Sequence, residues 1–517
     1  MNASALRPLK TAGSALIALL VALYCAIVLL LSIRAILSPL VFAMIVAAFF
    51  ALIAWGARLL YGAGLRIPAQ PDKLAPRAFC FGAGLCLLSM LCYWVAYYPG
   101  GVSSDTLMQW EQAHQLRFDD WHPALHSMIL CLLIHIVDHP AFVLLVQMAA
   151  YAAAVGYVTA VLRRWRFPRP LCVLTAAYLS LSPAICNTMT FIWKDCAFAI
   201  CALLLGTQML EIHLSQGMWL RRRAHLAALA LTLALTSIMR HNGPAMTLPA
   251  VVWLFVSFPK AFKRIFTVSL AALLLVLGIK GPLYSALSVQ RSQASLSETF
   301  GVPMVILSHI FAEAPNALDE ETVAFLTRFA PQETFAQLDA CGDWNEIKWY
   351  VSSPDLSDKT LSQVSAMALR AAAKEPQLAL DALAGLWQLP LLPFGEAYWR
   401  LSPYTSQEFV FSFRYEPGGF APLQYLLGGL CRLFSKPALS WLSWCPGFAL
   451  LTVMLACALL SQGRPASALL LPAMLIAYDL ATALVLSSPT DFRFFLSTPM
   501  LAPLCVFGLL ARRTAGR

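Results

Sequence analysis

The stretch Ala12–Leu31 reads AGSALIALLVALYCAIVLLL and contains no charged side chain. An α-helix of this length reaches across a hydrocarbon core that is about 30 Å thick. A second long apolar run, Ile36–Trp55, follows almost at once. The first run is therefore too long, and too soon followed by another span, to be a cleaved signal peptide. We interpret it as an uncleaved membrane helix.

The composition of the whole chain agrees with this interpretation. Of its 517 residues, 60% are hydrophobic and only 12% are charged, and the mean hydropathy is +0.70. Soluble domains are about 45–50% apolar and about 25% charged. These values exclude a soluble multi-domain enzyme, a disordered chain, a collagen-like fibre and a coiled coil.

Apolar runs recur along the chain and predict an all-α polytopic membrane protein with about twelve transmembrane helices. Besides the two runs already named, we expect spans near Ala78–Tyr97, Ala141–Val161, Leu171–Cys186, Cys196–Ile212, Ile265–Ile279, Trp441–Leu460, Ala468–Leu486 and Phe494–Leu510. Two further apolar stretches, His122–Val137 and Pro422–Phe434, are too short to cross comfortably, so we expect interfacial helices there.

The distribution of charge decides how the net charge of +10 is interpreted. Acidic residues outnumber basic ones two to one between Gly281 and Leu380, so the excess of Lys and Arg lies in short loops between the apolar runs. That is the positive-inside pattern of membrane proteins, whereas nucleic-acid binding needs a basic face on a soluble surface. We therefore expect no nucleic-acid partner. Both termini are expected in the cytoplasm, the first with Arg7 and Lys10 and the last with Arg512.

The same pattern divides the chain into three regions. Residues 1–280 are expected to form an N-terminal transmembrane region, whose first outer loop covers residues 98–139, and residues 381–517 a C-terminal transmembrane region. The acidic residues 281–380 lie between them on the outer side. Long loops without structure of their own are uncommon in compact proteins, so we expect an ordered, mixed but mostly helical extracytoplasmic insertion.

Two segments of the insertion, Asp319–Phe329 and Leu361–Ala373, have helical patterns. Its aromatic residues Trp344, Trp349 and Tyr350 have two possible roles, as platforms for a sugar ring or as the small core of the insertion.

The first outer loop is the most polar part of the N-terminal region. Pro99 and two glycines turn the chain, and Ser103 or Ser104 is expected to cap a helix whose first turn holds Asp105. A helix dipole favours a carboxylate there, which makes Asp105 suited to act as a base or a metal ligand. Gln109, Trp121 and His122 follow in the same loop. The alternative is that Asp105 is only a cap residue and the loop is a solvated surface.

Three later segments place polar side chains at the same predicted outer face. They contain Lys194 and Asp195, then Arg240, His241 and Asn242, and finally Asp491 and Arg493. Taken singly, each is also explained by snorkelling or capping. Together they indicate one shared site. Its cations need an anionic partner, which a phosphate-bearing membrane lipid would supply.

These motifs resemble the GT-C superfamily of integral membrane glycosyltransferases, which use polyprenyl-phosphate-linked sugars. Asp105 matches the first acid of that superfamily, His122-Pro123 its helix start and Asp195 its second acid. The set Y-P-G-x-x-S-x-D, W-H-P, W-K-D, R-H-N-G and D-x-R looks like an uncharacterised bacterial branch, which implies the bacterial inner membrane. Many members have two adjacent acids, whereas Asp105 stands between Ser104 and Thr106.

The resemblance implies transfer of a hexosyl or pentosyl group from a polyprenyl-phosphate donor to an unknown extracytoplasmic acceptor, with inversion. Asp105 would be the general base and Asp195 a second catalytic acid. The substrate-binding residues would be Lys194, Arg240, His241, Asn242, Arg493, Asp491, His122, Trp121 and Gln109. A divalent cation is a further expectation, with Asp105, Asp195 and His122 as its ligands.

Two other classes of membrane protein are alternatives to a glycosyltransferase. A polysaccharide polymerase or ligase would need Arg and His residues in the large outer loop, where His309 is the only histidine. A transporter or flippase of lipid-linked or envelope substrates would need ionisable groups deep in the membrane. Asp479 is such a group, so the transporter stays as the alternative function.

Overall fold

The computed structural model describes residues 6–72, 75–290, 300–338, 344, 358–394, 418–485 and 492–513. Helices make up almost all of the regular structure in these ranges, which confirms the predicted all-α class. The first part of the chain forms α1 (Leu6–Ile33), α2 (Pro39–Leu59), α3 (Pro76–Ala96), α4 (Ser104–Gln115), α5 (Ala124–Ile134), α6 (Pro140–Arg164), α7 (Arg169–Leu181), α8 (Pro183–Thr188), α9 (Lys194–Leu214), α10 (Arg223–Ile238), α11 (Pro244–Ser257), α12 (Phe262–Gly278) and α13 (Tyr284–Ala286).

The remaining helices follow the same order along the chain. They are α14 (Gly301–Glu313), α15 (Glu320–Leu326), α16 (Gln332–Leu338), α17 (Leu361–Lys374), α18 (Pro376–Leu386), α19 (Gln388–Leu391), α20 (Ala421–Ser435), α21 (Pro437–Ser440), α22 (Pro446–Leu460), α23 (Leu470–Leu484) and α24 (Ser497–Leu510). Short 3₁₀ turns link several of them, at Met218–Arg221, Pro259–Ala261, Pro315–Ala317, Ala466–Leu469 and Phe492–Phe495, and a π-helical turn at Ile279–Leu283 extends α12.

Eight helical segments among the described residues are long and apolar enough to cross a membrane. They are Gly13–Ile33, Pro39–Leu59, Pro76–Ala96, Pro140–Arg164, Lys194–Leu214, Pro259–Ala286, Ala466–Leu484 and Phe492–Leu510. These segments agree with a multi-pass membrane protein. The other apolar helices, including α7, α10, α11 and α22, are shorter. The count of about twelve spans therefore stays a prediction.

Two predicted spans have different bounds in the structure, and proline is the cause in both. The segment Leu171–Cys186 is not one helix, because α7 ends at Leu181 and α8 begins separately at Pro183. Proline lacks the N–H of a continuing helix and disfavours helical geometry in the residue before it. In the same way, the segment expected from Trp441 becomes helical as α22 only at Pro446.

The two predicted interfacial helices have counterparts in the structure. The segment His122–Val137 contains α5, and Pro422–Phe434 coincides with α20. Their position relative to a membrane surface stays a prediction.

Glycines allow α3 and α6 to pack closely. A Cβ atom at Gly82 would collide with the Thr159 side chain, and one at Gly156 would lie 2.9 Å from the Ala83 Cβ atom. Small residues at such crossings let helix backbones approach each other in membrane proteins. The close contacts lie in the first half of α3 and hold it against α6.

The residues of the predicted insertion have a core of their own. Buried side chains from α14 to α18 pack together, and Phe495 from the C-terminal region joins them. Trp344 is fully buried and meets Phe329 edge to face, with ring centroids 5.2 Å apart. Of the two roles considered for Trp344, the structure supports the core. Trp349 and Tyr350 lie outside the described residues.

A short parallel strand pair was not foreseen from the sequence. Strand β1 (Leu65–Ile67) pairs with β2 (Ala511–Arg513), so the loop after α2 is hydrogen-bonded to the residues that follow α24. This pair lies at the end of the molecule opposite to Asp105. We call the end that holds the strand pair the far end, and the end that holds Asp105 the site end.

Candidate functional site

The start of α4 is built as the sequence predicts. Ser103 is the N-cap, and its backbone N–H donates to Thr106 Oγ1 at 3.4 Å. Asp105 consequently lies in the first turn of α4. The Thr106 hydroxyl also donates to the Ile192 carbonyl at 3.0 Å, which fixes the start of α4 against the segment that precedes α9.

Two loop segments pair at the site end and set the spacing of the acidic residues. The Gly101 N–H donates to the Thr190 carbonyl at 2.8 Å, and the Ile192 N–H donates back to the Gly101 carbonyl at 3.3 Å. A Cβ atom at Gly101 would lie 2.5 Å from the Phe191 ring. Only glycine therefore permits this approach. The pairing carries the N-terminus of α9 to the N-terminus of α4.

Asp105 is held by two cations from distant parts of the chain. Arg493 Nη1 lies 2.8 Å from Asp105 Oδ2, and Lys194 Nζ lies 3.1 Å from the same oxygen. The Asp105 side chain is 18% exposed, so it is accessible from the site end. Charge-assisted hydrogen bonds of this kind are stronger than neutral ones. Asp105 is thus more than a cap residue.

Asp195 lies beneath this pair and is completely buried. Arg240 Nη1 is 2.7 Å from Asp195 Oδ1, and Lys194 Nζ is 3.7 Å from Asp195 Oδ2. Among the described residues, neither carboxylate oxygen of Asp195 receives a hydrogen bond in good geometry. The neighbouring cations are therefore what compensates its buried charge.

The five side chains form a row of alternating charge with the Lys194 ammonium in its centre, which we call the charged chain. The order is Arg493, Asp105, Lys194, Asp195 and Arg240. Among the described residues, three cations face two carboxylates here. Such an arrangement favours the binding of an anion.

Aromatic rings hold both arginines of this chain in place. The Arg493 guanidinium lies 4.8 Å from the Trp193 ring centroid and 5.1 Å from that of Phe494. The Arg240 guanidinium lies 4.9 Å from the same Phe494 centroid. Cation–π contacts of partly desolvated arginines contribute about 1–2 kcal/mol. The Trp193 N–H is itself anchored, because it donates to Ser103 Oγ at 2.7 Å.

His122 lies beside Asp105 without a hydrogen bond. Its Nε2 atom is 3.8 Å from Asp105 Oδ1 and has no hydrogen-bond partner within the described part of the chain. Burial, reinforced by Lys194, lowers the pKa of His122 from 6.5 to about 3, so the imidazole is neutral near pH 7. It can offer a hydrogen bond to a ligand at Asp105 without adding charge.

The ionisation of Asp105 follows from its neighbours. Burial favours the neutral carboxyl, but Arg493 and Lys194 outweigh burial and hold the pKa of Asp105 well below its usual 3.8. Asp105 is therefore an anion at neutral pH, and a proton leaves it readily as long as both cations stay in place.

Gln109 contributes to a buried network between α4 and α5. Its side-chain oxygen is 3.1 Å from His126 Nδ1, and its side-chain nitrogen donates to Ser127 Oγ at 3.4 Å. Ser127 donates onward to Gln112 Oε1 at 3.0 Å. The contacts that the structure gives Gln109 are with protein groups, so it positions α4.

The other predicted residues surround the charged chain. His241 Nε2 lies 3.2 Å from the Trp121 carbonyl oxygen, and Asn242 donates to Thr482 Oγ1 at 2.8 Å. Burial lowers the pKa of His241 from 6.5. Asp491 lies outside the described residues. The structure thus brings Asp105, Lys194, Asp195, Arg240 and Arg493 together and leaves Gln109, His241 and Asn242 in supporting contacts.

The predicted divalent-cation site has no counterpart in the geometry of the described residues. No group of three His, Cys, Asp or Glu side chains there could hold a metal ion. Lys194 Nζ occupies the space between the Asp105 and Asp195 carboxylates. The Lys194 ammonium group thus compensates the negative charge of the two carboxylates, as a metal ion between them would.

Phe494 is the residue of the site that sequence reasoning missed. It contacts both arginines, yet nothing in its sequence surroundings distinguishes it from the many other phenylalanines of the chain. Its position next to Arg493 is the only sequence signal.

Comparison of the chain with known protein families, curated proteins and solved structures found no significant match.

Proposed function

We propose that this protein is a membrane-embedded glycosyltransferase that uses a polyprenyl-phosphate-linked sugar and is similar to the GT-C superfamily. The observation that carries the proposal is the grouping of Arg493, Lys194 and Arg240 around two carboxylates, of which that of Asp105 is accessible. A lipid phosphate matches the cations, and a hydroxyl or amine acceptor matches the carboxylate.

In the proposed reaction, the acceptor heteroatom forms a bond to the anomeric carbon of the sugar. The bond between that carbon and the phosphate oxygen breaks, and its electron pair leaves with the polyprenyl phosphate. The acceptor proton passes to Asp105 Oδ1 or Oδ2, as in general base catalysis. One displacement of this kind inverts the anomeric centre.

The pairing of Asp105 suggests how the base becomes active. A carboxylate beside two cations is a weak base, because both favour its ionised form. When the donor phosphate draws Arg493 and Lys194 toward itself, their hold on Asp105 weakens and its proton affinity rises. The base would then be strongest when the donor is bound.

Asp195 and Arg240 support this arrangement from below. The buried Asp195 carboxylate lies 3.7 Å from Lys194 Nζ, so it fixes the position of the ammonium group when Asp105 is protonated. We assign Asp195 a positioning role and propose no metal-dependent step.

The proposed topology has about twelve spans. The eight long segments would be joined by the shorter helices α7, α10, α11 and α22. The site end would face the extracytoplasmic side of the bacterial inner membrane.

The test compares the wild type, Asp105→Asn and Glu111→Gln in purified full-length protein, with a panel of polyprenyl-phosphate sugars and simple hydroxyl and amine acceptors. Glu111 is an exposed acid on the same helix and serves as the matched control. We expect release of polyprenyl phosphate by the wild type and the control, and a loss of about 10²–10⁴-fold in Asp105→Asn. Wild-type activity in a folded Asp105→Asn protein would refute the proposed base.

The alternative is a transporter or flippase, and one observation favours it. Asp479 is buried in the candidate span Ala466–Leu484, where its Oδ1 accepts a hydrogen bond from Thr498 at 2.7 Å and its Oδ2 has no partner among the described residues. Such a group suits a proton or cation relay. Movement of a labelled lipid-linked sugar across proteoliposomes, abolished in Asp479→Asn and without turnover, would support this alternative.

A further inference from the structure

A second polar feature lies at the far end, away from the charged chain. There, α3 and α7 begin and α6 ends around a cavity of about 620 Å³. The cavity and Asp105 lie near opposite ends of α3, which at 21 residues is about 30 Å long. The cavity is therefore distinct from the proposed catalytic site.

Four arginines line this cavity, namely Arg77, Arg163, Arg164 and Arg169. The acidic groups nearby are already engaged. Asp72, which also lines the cavity, accepts hydrogen bonds from Arg166 Nε at 2.8 Å and Nη2 at 2.7 Å, and Glu211 is paired with Arg164 at 3.0 Å. Within the described part of the chain, Arg77 and Arg169 are exposed and have no acidic partner. The cavity thus has positive charge to spare.

The backbone adds to this positive potential. Both α3 and α7 open at the cavity, and neither N-terminus has a side-chain cap. The first N–H groups of a helix and its dipole favour an anion, and phosphate is a common ligand at such positions.

The wall of the cavity that continues along the helices is apolar. Phe81 of α3 and Val173 of α7 line the cavity, and Leu88 lies seven residues after Phe81 on the same face of α3. These three side chains are between 46% and 64% exposed. From the arginines, this apolar surface continues along α3 toward the middle of a helix that the sequence assigns to the membrane.

We infer that this cavity binds the phosphate of an anionic phospholipid, with the acyl chains along the exposed faces of α3 and α7. A free phosphate ion would use the arginines alone. The apolar faces favour a phospholipid, and basic pockets between membrane helices are suited to anionic headgroups. This inference is independent of the transferase proposal.

The experiment measures lipid binding to purified full-length protein in detergent by native mass spectrometry. The probes are dioleoyl phosphatidylglycerol, dioleoyl phosphatidylcholine, and glycerol 3-phosphate as the headgroup without chains. We expect phosphatidylglycerol to bind most tightly. The Arg77→Gln/Arg169→Gln double variant should weaken this binding about thirtyfold, since each basic residue near a lipid surface contributes about 1 kcal/mol.

The matched control is Arg221→Gln/Arg222→Gln, which removes the same charge from exposed arginines that do not line the cavity. The control should bind like the wild type. Equal binding of phosphatidylglycerol by the Arg77→Gln/Arg169→Gln variant and the wild type would overturn the inference. So would glycerol 3-phosphate that displaces the lipid at similar concentration, because the site would then be one for a free anion. All four substituted arginines are exposed, so we expect both double variants to fold, and their thermal midpoints check this.

Discussion

Arg493 and Asp105 are 388 residues apart in the sequence, yet Arg493 Nη1 lies 2.8 Å from Asp105 Oδ2. The contact joins the first polar loop to the turn before the last long helix. Lys194 reaches the same oxygen from the centre of the charged chain. The site is therefore complete only when both transmembrane regions are folded together.

Arg493 should contribute to donor binding through its charge and its two-pronged geometry. Hydrogen bonds to charged groups contribute about 1.5–3 kcal/mol, so Arg493→Ala should lower kcat/KM for a polyprenyl-phosphate sugar by about 10–100-fold. Arg493→Lys should recover part of the loss, because lysine keeps the charge without the fork. The exposed Arg117 supplies the control, Arg117→Gln. A kcat/KM that is unchanged in Arg493→Ala would contradict a role in the site.

Arg240 should matter for stability more than for turnover. In Arg240→Gln, the buried Asp195 loses its closest cation, and an uncompensated buried charge costs about 3–5 kcal/mol. We expect a marked fall in the thermal midpoint measured by intrinsic fluorescence in detergent.

A second substitution distinguishes charge from packing at this pair. Arg240→Gln/Asp195→Asn removes both charges and should regain part of the lost stability, as a double-mutant cycle would report. If the double variant is as unstable as the sum of the single variants, the two groups do not interact.

The free energy of unfolding should fall as the pH is lowered, and His122 should account for a measurable part of that loss. Its folded pKa of about 3 lies below its ordinary 6.5, so the unfolded chain binds the proton first and stability is lost as the pH falls from about 6.5 to about 3. Asp105 acts in the same direction at lower pH, since its folded pKa lies well below 3.8. Thermal midpoints between pH 7 and pH 4 should fall less steeply in His122→Asn than in the wild type. The exposed His135→Asn variant should follow the wild type.

Gly101 should tolerate no side chain. The Cβ atom of Gly101→Ala would press on the Phe191 ring, and overpacking of this kind costs about 1–3 kcal/mol. Because the pairing at Gly101 positions α9 against α4, both the thermal midpoint and the activity should fall. Gly84→Ala is the control, since nothing lies within 4 Å of a Cβ atom there. Equal behaviour of the two variants would show that the pairing is dispensable.

The orientation of the site end can be tested by labelling. A cysteine at the exposed Ser104 should react with a membrane-impermeant maleimide added to intact cells, whereas one at Arg169 should react only after lysis. The prediction follows from the basic loops at the far end. The reverse labelling pattern would place the charged chain in the cytoplasm and rule out an extracytoplasmic reaction.

Local features of the site could be predicted from the sequence, and long-range ones could not. The positions of Ser103 as N-cap and of Asp105 in the first turn follow from capping rules that involve only neighbouring residues. The grouping of Lys194, Arg240 and Arg493 with Asp105 follows from counting apolar runs, because every second loop between membrane spans lies on the same side of the membrane. Which cation contacts which acid depends on side-chain packing across several helices, and no sequence pattern contains it.

The fold shows the same division. Apolar runs predict the long helices because a membrane helix satisfies its own backbone. The break at Ser182 was predictable in principle, since Pro183 follows, but the apolar composition concealed it. The β1–β2 pair joins segments separated by most of the chain, and each is only three residues long. Such short partners have no recognisable periodicity.

The turn Phe492–Phe495 has contacts in two directions. Phe495 packs into the core formed by α14 to α18, while Arg493, two positions earlier, is bound to Asp105. Phe494 between them contacts both that core and the two arginines. The turn thus connects the packing of α14 to α18 with the ion pair at Asp105, so a shift of those helices would also shift the cation that restrains this carboxylate.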